Sequence, residues 1–328
     1  NSEETRQFYE GFLLALDTLS KLGYNVNVKV VDTENRPWKV RKLVAQGEFK
    51  KADLILGPLY SKVFSEVDKY AFDNCIPIVS PTIKGSSIIA NNDYVFKLIP
   101  SDEAMTVGLG EYVAQSDSTN NLILHYGSSE EKAMLSRFRQ GLQASGMQSA
   151  SFPAYNLSAT SLDSIKLLVS LTQRNNVVIL SNNQVKLAGL TRKISGWAED
   201  AYIVAYVPGT WPNFRNLEID HFDELRVHLP TSFFIDYEDV EVQHFVRTFR
   251  EKYAAEPSTF AFRGYDIAMH FIKNISMIKS EGIDFMSSVK STGLQSSFNW
   301  KKLNNGGFEN DQPRIVDYTG LKLKLAID

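Results

Sequence analysis

Two groups of hydroxyl residues stand just beyond two short apolar runs. Tyr60 and Ser61 follow Leu54-Ile-Leu-Gly-Pro-Leu59, and Ser80, Pro81 and Thr82 close Ile76-Pro-Ile-Val79. Side chains of this kind give and take hydrogen bonds. With free backbone N–H groups beside them they form a shelf for a small polar molecule. The elements that must hold them are strands. Apolar runs stopped by Gly-Pro or Ser-Pro suit buried parallel strands, and open α/β sheets take ligands outside the carboxyl ends of such strands. The two ends lie one helical segment apart, a pattern that points to a receptor for a small molecule more than to a catalyst.

The other reactive residues assemble no catalyst. His125, His221, His228, His244 and His270 stand at no metal-ligand spacing to one another or to Cys75. His221 and His228 sit beside Asp220, Asp223 and Glu224, which reads as a solvated segment. Ser129-Glu-Glu-Lys132 and Ser287-Ser-Val-Lys290 match Ser-x-x-Lys, and helix capping already accounts for the first. No Gly-x-Gly-x-x-Gly follows a strand, and neither a Gly-Lys-Ser/Thr phosphate loop nor a Gly-x-Ser-x-Gly elbow is present. The expectation is no enzyme, no cofactor and no metal. Cys75 is the sole cysteine, so no internal disulfide forms; it is expected to be an inert buried thiol beside the Ile76 strand.

A chain of 328 residues exceeds what one core comfortably serves, so two domains are expected. The net charge of -3 offers nothing to nucleic acid or to an anionic membrane. No apolar run is long enough to span a bilayer. The chain opens on polar Asn1-Ser-Glu-Glu-Thr5, with no signal peptide in view, which says little about compartment. Asn156-Leu-Ser158 and Asn274-Ile-Ser276 match the glycosylation triplet, which chance produces often.

Helices and strands alternate through most of the chain. Phe8, Phe12, Leu16 and Leu19 recur at helical spacing, and Gly23 ends that helix. Residues 26 to 31 alternate like a strand. Helices are expected over 38 to 50 and 61 to 73, and a short strand over 95 to 99, with a helix opening at Ser101. Gln115-Ser-Asp-Ser-Thr-Asn-Asn121 carries no apolar anchor and reads as a linker. Beyond it come strand 122 to 126, a helix opened by the capping box Ser128-Ser-Glu-Glu131, strand 150 to 155, helix 161 to 173, strand 177 to 181, helix 183 to 195 and strand 201 to 206. Short crossovers of this kind are those of βαβ units. Two long helices follow, over 238 to 254 and 261 to 281, then a β-rich tail. That tail is too poor in apolar bulk to be a third domain. Its place is as the chain's return to complete both halves.

The order of parts resembles the type I periplasmic-binding-protein fold, in its leucine/isoleucine/valine-binding branch. The resemblance rests on Gly11-Phe-Leu-Leu-Ala-Leu-Asp17, Val31-Asp-Thr33, Leu56-Gly-Pro-Leu-Tyr-Ser61, Ile76-Pro-Ile-Val-Ser-Pro-Thr82, Phe96-Lys-Leu-Ile-Pro-Ser-Asp102 and Arg263-Gly-Tyr-Asp-Ile-Ala268, in that order. Ser297-Phe298 and Gly306-Gly307 also fit. The wording is further similar to the receptor-like segment of cell-wall-associated LysM proteins and lipoproteins of Bacteroidetes-type bacteria.

The resemblance implies two doubly wound parallel-sheet lobes, joined by three crossovers, that close by hinge motion on a ligand in an interlobe cleft. Lobe 1 would comprise 1–118 and 238–291, and lobe 2 would comprise 119–237 and 292–328. The family's first strand, ahead of the opening helix, has no counterpart in this sequence. The resemblance places Tyr60 and Ser61 on one ligand shelf, and Ser80, Pro81, Thr82, Ile83 and Lys84 on a second. Ser61 serves equally as the cap of the next helix, and Ser80 and Thr82 as parts of a turn. Lys84 departs from the family's small hydroxyl: it either pairs with an acidic ligand or points to solvent. The loop Gly127-Ser128 lacks the aromatic that family members carry. Asp236 and Tyr237 match the place of a carboxylate for the ligand ammonium, Trp211 would line the cleft mouth, and Tyr265 and Asp266 would pack at the lobe face.

Two functions follow from the resemblance. One is a periplasmic or cell-envelope solute-binding protein for a small polar ligand such as an amino acid, serving a membrane transporter. The other is a receptor-fold interaction module of the cell wall, regulating peptidoglycan synthesis and holding no ligand of the usual kind. Fold alone does not choose between them.

Overall fold

The computed structural model describes residues 2–116, 120–304 and 306–326. In chain order the elements begin with α1 (Ser2–Lys21), α2 (Pro37–Ala45), β1 (Ile55–Leu56), α3 (Ser61–Asp73), β2 (Ile78–Ser80) and β3 (Val95–Lys97). Next come α4 (Asp102–Val113), β4 (Asn120–His125), α5 (Ser129–Ala144), β5 (Ala154–Asn156), α6 (Leu162–Lys166), β6 (Asn175–Ile179), α7 (Gln184–Ser195), β7 (Ile203–Tyr206), α8 (Ile219–Glu224) and β8 (His228–Thr231). The chain ends with α9 (Val240–Tyr253), α10 (Thr259–Glu281), β9 (Lys290–Thr292), β10 (Ser297–Lys302), β11 (Phe308–Asn310), β12 (Arg314–Thr319) and β13 (Lys322–Leu325).

The chain divides into two units. The first is Asn1–Ser101 with Ile235–Gln312, and the second is Asp102–Phe234 with Pro313–Asp328. The β-rich tail does return to both. The division falls elsewhere than the sequence suggested, because α4 belongs to the second unit, and β10 and β11 belong to the first. Strand pairing is the reason for the latter: β11 pairs parallel with β3, and β10 pairs antiparallel with β11. Of the expected linker, residues 117–119 lie outside the described residues, and β4 already begins at Asn120.

The first unit's sheet has the order β1-β2-β3-β11-β10-β9, parallel as far as β11 and antiparallel beyond it. Helix α3 buries Val63, Phe64, Val67 and Ala71, one face of a 3.6-residue period, against Ile55, Ile78 and Val95 of the strands. A second knot of apolar side chains centres on Phe96, which stacks on Phe308 at 4.5 Å and meets Trp300 and Phe271 edge-on at 5.1 Å. Helices α1 and α10 pack so closely that a methyl at Gly11 or Gly264 would run into the facing backbone at Ala261 or Phe8. Asp266 of α10 is buried and accepts N–H groups from Leu294, Gln295 and Ser296, pinning the loop ahead of β10.

The second unit's sheet has the order β13-β12-β8-β7-β6-β4-β5. It is parallel from β8 to β5, with β12 and β13 added antiparallel. Its two faces are covered by separate apolar clusters, one around Leu124, Val177, Ile179 and Trp211, the other around Ile123, Phe138, Val178 and Tyr206. The alternation of Val177 and Val178 between them is the period of two that a doubly covered strand requires. Buried Asn175 is satisfied on every side: its amide donates to the carbonyls of Ser170, Gln173 and Tyr202, and its oxygen accepts from Asn120 and from the Ser170 N–H.

Three local expectations fail. Residues 26 to 31 form no strand and pair in no sheet, and Tyr24, Val26, Val28 and Val30 are exposed. Helix α6 stops at Lys166, since Leu167, Leu168 and Leu171 point outward and bury no helical stripe. Cys75 is exposed, not buried. It occupies a left-handed turn (φ 54°) after α3, where its neighbours Ala71 and Ile76 take the inward positions.

Candidate functional site

In the first unit, Leu56 of β1 lies directly opposite Val79 of β2 in a parallel pair, so both strands end together. The chain leaves β1 through Gly57 in a left-handed conformation (φ 88°), open to glycine at no steric cost, and reaches Tyr60 at the start of α3. It leaves β2 through Ser80 and Pro81. The Thr82 hydroxyl donates to the Leu59 carbonyl and ties the two loops to each other. A cavity of about 540 Å³ opens here, walled by Tyr60, Ser61, Lys62, Thr82, Ile83 and Lys84 with Leu59, Glu4 of α1, Asn35 and Phe260 of α10. The Tyr60 hydroxyl reaches Glu4 Oε2 at 3.5 Å.

The cap of α3 is Tyr60, not Ser61, and no side chain caps its first turn. Ser61 is therefore the first helical residue, exposed in the cavity wall. Ser80 and Pro81 are buried and line neither cavity. Lys84 is exposed and belongs to the wall.

The second unit repeats the arrangement. β4 and β6 are parallel neighbours, and their carboxyl ends run into Tyr126-Gly127-Ser128 and Asn182-Asn183. These loops enclose a cavity of about 480 Å³ with Glu130, Glu131 and Lys186. Gly127 has φ 84°, and a side chain there would strike the Asn156 amide. Ser128 caps α5 in the expected capping box: its hydroxyl accepts from the Glu131 N–H at 3.2 Å, while Glu131 Oε2 accepts from the Ser128 N–H at 3.1 Å. Glu131 also accepts from the Tyr126 N–H at 2.9 Å. Burial pushes the Glu131 carboxyl up, but hydrogen bonds from Ser181, Ser128 and Tyr126 outweigh it and hold the group below the usual carboxylate range. Burial raises the Tyr126 phenol, so its O–H stays a donor. Asn183 caps α7 by accepting from the Lys186 N–H at 3.2 Å, and the Lys186 ammonium sits 4.4 Å from the centre of the Tyr126 ring.

Three expected residues lie elsewhere. Trp211 is fully buried; its indole N–H donates to the Ser181 carbonyl at 3.0 Å, so it is core and not a cleft mouth. Asp236 accepts from the Glu238 N–H at 2.9 Å and shapes its own turn. Tyr237 is exposed and meets Phe262 edge-on at 6.3 Å. Neither lines either of these two cavities. The structure adds Glu4, Asn35, Phe260, Tyr126, Asn182, Asn183 and Lys186. Asn182 and Asn183 were legible as the residues past an apolar strand. Glu4, Asn35 and Phe260 carried no signal, because separate stretches of chain bring them in.

Each cavity thus stands at the carboxyl ends of paired parallel strands, beside helix N-termini, and is lined by donors, acceptors and charges. Among the described residues no three His, Cys, Asp or Glu side chains gather as a metal site, and no helix is long and apolar enough to cross a membrane. Fold and cavities define an α/β receptor for small ligands. The chain belongs to the periplasmic binding protein family, whose profile matches residues 4–297. That family consists of solute-binding proteins rather than enzymes.

Solved structures agree on the fold. One is a protein of Rhodospirillum rubrum, provisionally described as a branched-chain amino acid ABC transporter; it is 15% identical, with a TM-score of 0.66 over 99% of this chain and 96% of that one. An ABC transporter substrate-binding protein from Desulfitobacterium hafniense, in complex with Leu, is 14% identical, with a TM-score of 0.52 over 97% of this chain and 95% of that one. Full-length LpoA from Haemophilus influenzae is 14% identical, with a TM-score of 0.55 over 98% of this chain but 55% of that one. No curated protein matches the chain.

Proposed function

We propose that this chain is an extracytoplasmic solute-binding protein, without catalytic activity, that holds a small polar, amino-acid-like ligand and serves a membrane transporter. The observation that carries this reading is the repeated geometry. In each unit two parallel strands run side by side to their carboxyl ends, with Leu56 opposite Val79 in one and Leu124 opposite Ile179 in the other, and a polar cavity opens beyond those ends. Strand ends and helix N-termini supply donors already in place, so a bound anion or carbonyl needs little reorganisation. Tyr60, Ser61, Thr82 and Lys84 would be the ligand contacts in the first unit's cavity, and Gly127 and Ser128 those in the second unit's.

The test is a thermal-shift screen of the purified chain against the amino acids and muropeptides. A ligand at a hundred times its Kd adds about 2.7 kcal/mol of stability, enough to move the transition by several degrees. A flat response to every compound, or acceleration of a hydrolytic or redox reaction by the pure protein, would overturn the reading.

A second reading, a module that docks another cell-envelope protein, is favoured by one observation. Leu22, Tyr24, Val26, Val28, Val30 and Trp38 are all exposed within one short stretch, and clustered exposed apolar side chains mark interaction sites. Loss of partner binding on charging Val26 and Val28, with solute binding intact, would support it.

A further inference from the structure

The chain passes from one unit to the other three times, after Ser101, Phe234 and Gln312. Ile99, Ser101 and Phe234 belong to no strand, so their backbone groups need partners from outside the sheet ladders. Charged side chains supply them. At the first crossing the Ser101 N–H donates to Glu309 Oε1 at 2.8 Å, and the Ile99 carbonyl accepts from the Lys97 ammonium at 2.5 Å. Lys97 in turn donates to Glu309 Oε1 at 2.6 Å. At the second crossing the Phe234 carbonyl accepts from the Arg314 guanidinium at 3.0 Å.

The third crossing lies between these two holders. Glu309 stands in β11 just before it, and Arg314 opens β12 just after it. Register fixes both: Glu309 lies opposite Lys97 in the β11–β3 pair, and Arg314 opposite Thr231 in the β12–β8 pair. Each tie lies within a single unit, and the run 309–314 carries one to the other. Lys97, Glu309 and Arg314 are all buried. Buried charges contribute weakly to stability, and apolar side chains of like volume commonly replace them without loss. What these three do supply is reach to backbone that has left its sheet.

We infer that the three crossings form one joint, in which Glu309 and Arg314 hold the first and second crossings to the third, so that all three loosen together. Such a joint belongs to the connections themselves and stands whether or not the chain binds a solute.

Native-state hydrogen exchange of the full chain tests it, followed by mass spectrometry in rising urea on peptides covering 98–104, 232–238 and 310–314, with β6 as the reference. The three crossing peptides are expected to open at one common free energy and one urea dependence, below those of β6. Arg314→Met removes one tie, and Lys97→Met with Glu309→Met removes the other without stranding a charge. Each is expected to speed exchange about tenfold, as for one lost charge-assisted hydrogen bond, at both 98–104 and 232–238. Three unequal openings in the parent, or exchange that merges with that of β6, would overturn the joint. So would a variant whose exchange rises only at the crossing its own side chain held. Should a variant fail to fold, the parent's exchange decides alone.

Discussion

The Thr82 hydroxyl donates its hydrogen bond to the Leu59 carbonyl, so the loop past β2 is fastened to the loop past β1. These are two of the loops that wall the first unit's cavity. Replacing Thr82 by Val keeps the shape and removes the donor. We expect a loss of about 1 kcal/mol in stability and a larger loss in ligand affinity, with Thr82→Ser close to the parent in both. Denaturant melts alongside binding titrations check this; no loss for Val, or a larger loss for Ser than for Val, would show that the methyl group, not the hydroxyl, matters.

Glu131 closes the capping box that orients Ser128 and the Tyr126 amide in the second cavity. Its folded carboxyl lies below the ordinary range, so the ionised form is the stabilising one. That contribution is full above the unfolded value near 4.5 and disappears as pH falls through the lower folded value. Glu131→Gln is expected to cost about 1 to 2 kcal/mol at neutral pH and to flatten the acid limb of the stability curve below pH 5. An unchanged acid limb in urea melts from pH 3 to 7 would argue against it.

His270 presents a second pH dependence of different range. It is buried, stacked on Phe298 at 4.2 Å, accepts the Trp300 indole N–H at Nε2 and meets the Ser291 hydroxyl at Nδ1. Burial lowers its pKa from 6.5 to about 3. The unfolded chain therefore takes up this proton first. Stability from the neutral ring is full above pH 6.5 and is lost progressively toward pH 3, amounting to about 2 kcal/mol by pH 5. His270→Gln, which does not titrate, should lack that slope between pH 7 and 5. Parallel slopes for parent and variant would sink the assignment.

Lys97 is wholly buried in β3, its ammonium donating to Glu309 Oε1 at 2.6 Å and to the Ile99 carbonyl at 2.5 Å. The same carboxylate oxygen accepts from the Ser101 N–H at 2.8 Å. Lys97→Met leaves Glu309 charged and unpaired, and should cost about 3 to 5 kcal/mol. The double variant Lys97→Met/Glu309→Gln keeps an acceptor for Ser101 and should recover most of that loss. Melting temperatures of the three proteins decide the point, since a double variant no better than the single would mean that packing, not charge, sets the cost.

Much of this was legible in local pattern. The Leu54 and Ile76 runs, their Gly-Pro and Ser-Pro stops, and the Ser128 capping box depend on interactions within a few residues, so sequence carries them faithfully. Tyr60, Ser61 and Thr82 follow such stops, and all three line the first unit's cavity. Trp211 was misplaced for the opposite reason: its surroundings are made by distant chain, the Ser181 carbonyl among them. The Asp236 carboxylate is taken up locally, by the Glu238 amide two residues on.

Sequence by itself determined the two α/β sheets, the strand ends and the helix starts, because hydrophobic periodicity and caps act over one or two turns of chain. Tertiary structure decided which strands the tail joins, which sequence-distant residues wall each cavity, and that Lys97 is buried while Cys75 is not. Those outcomes depend on register and packing between segments more than a hundred residues apart, such as β3 with β11, where no local pattern carries the information.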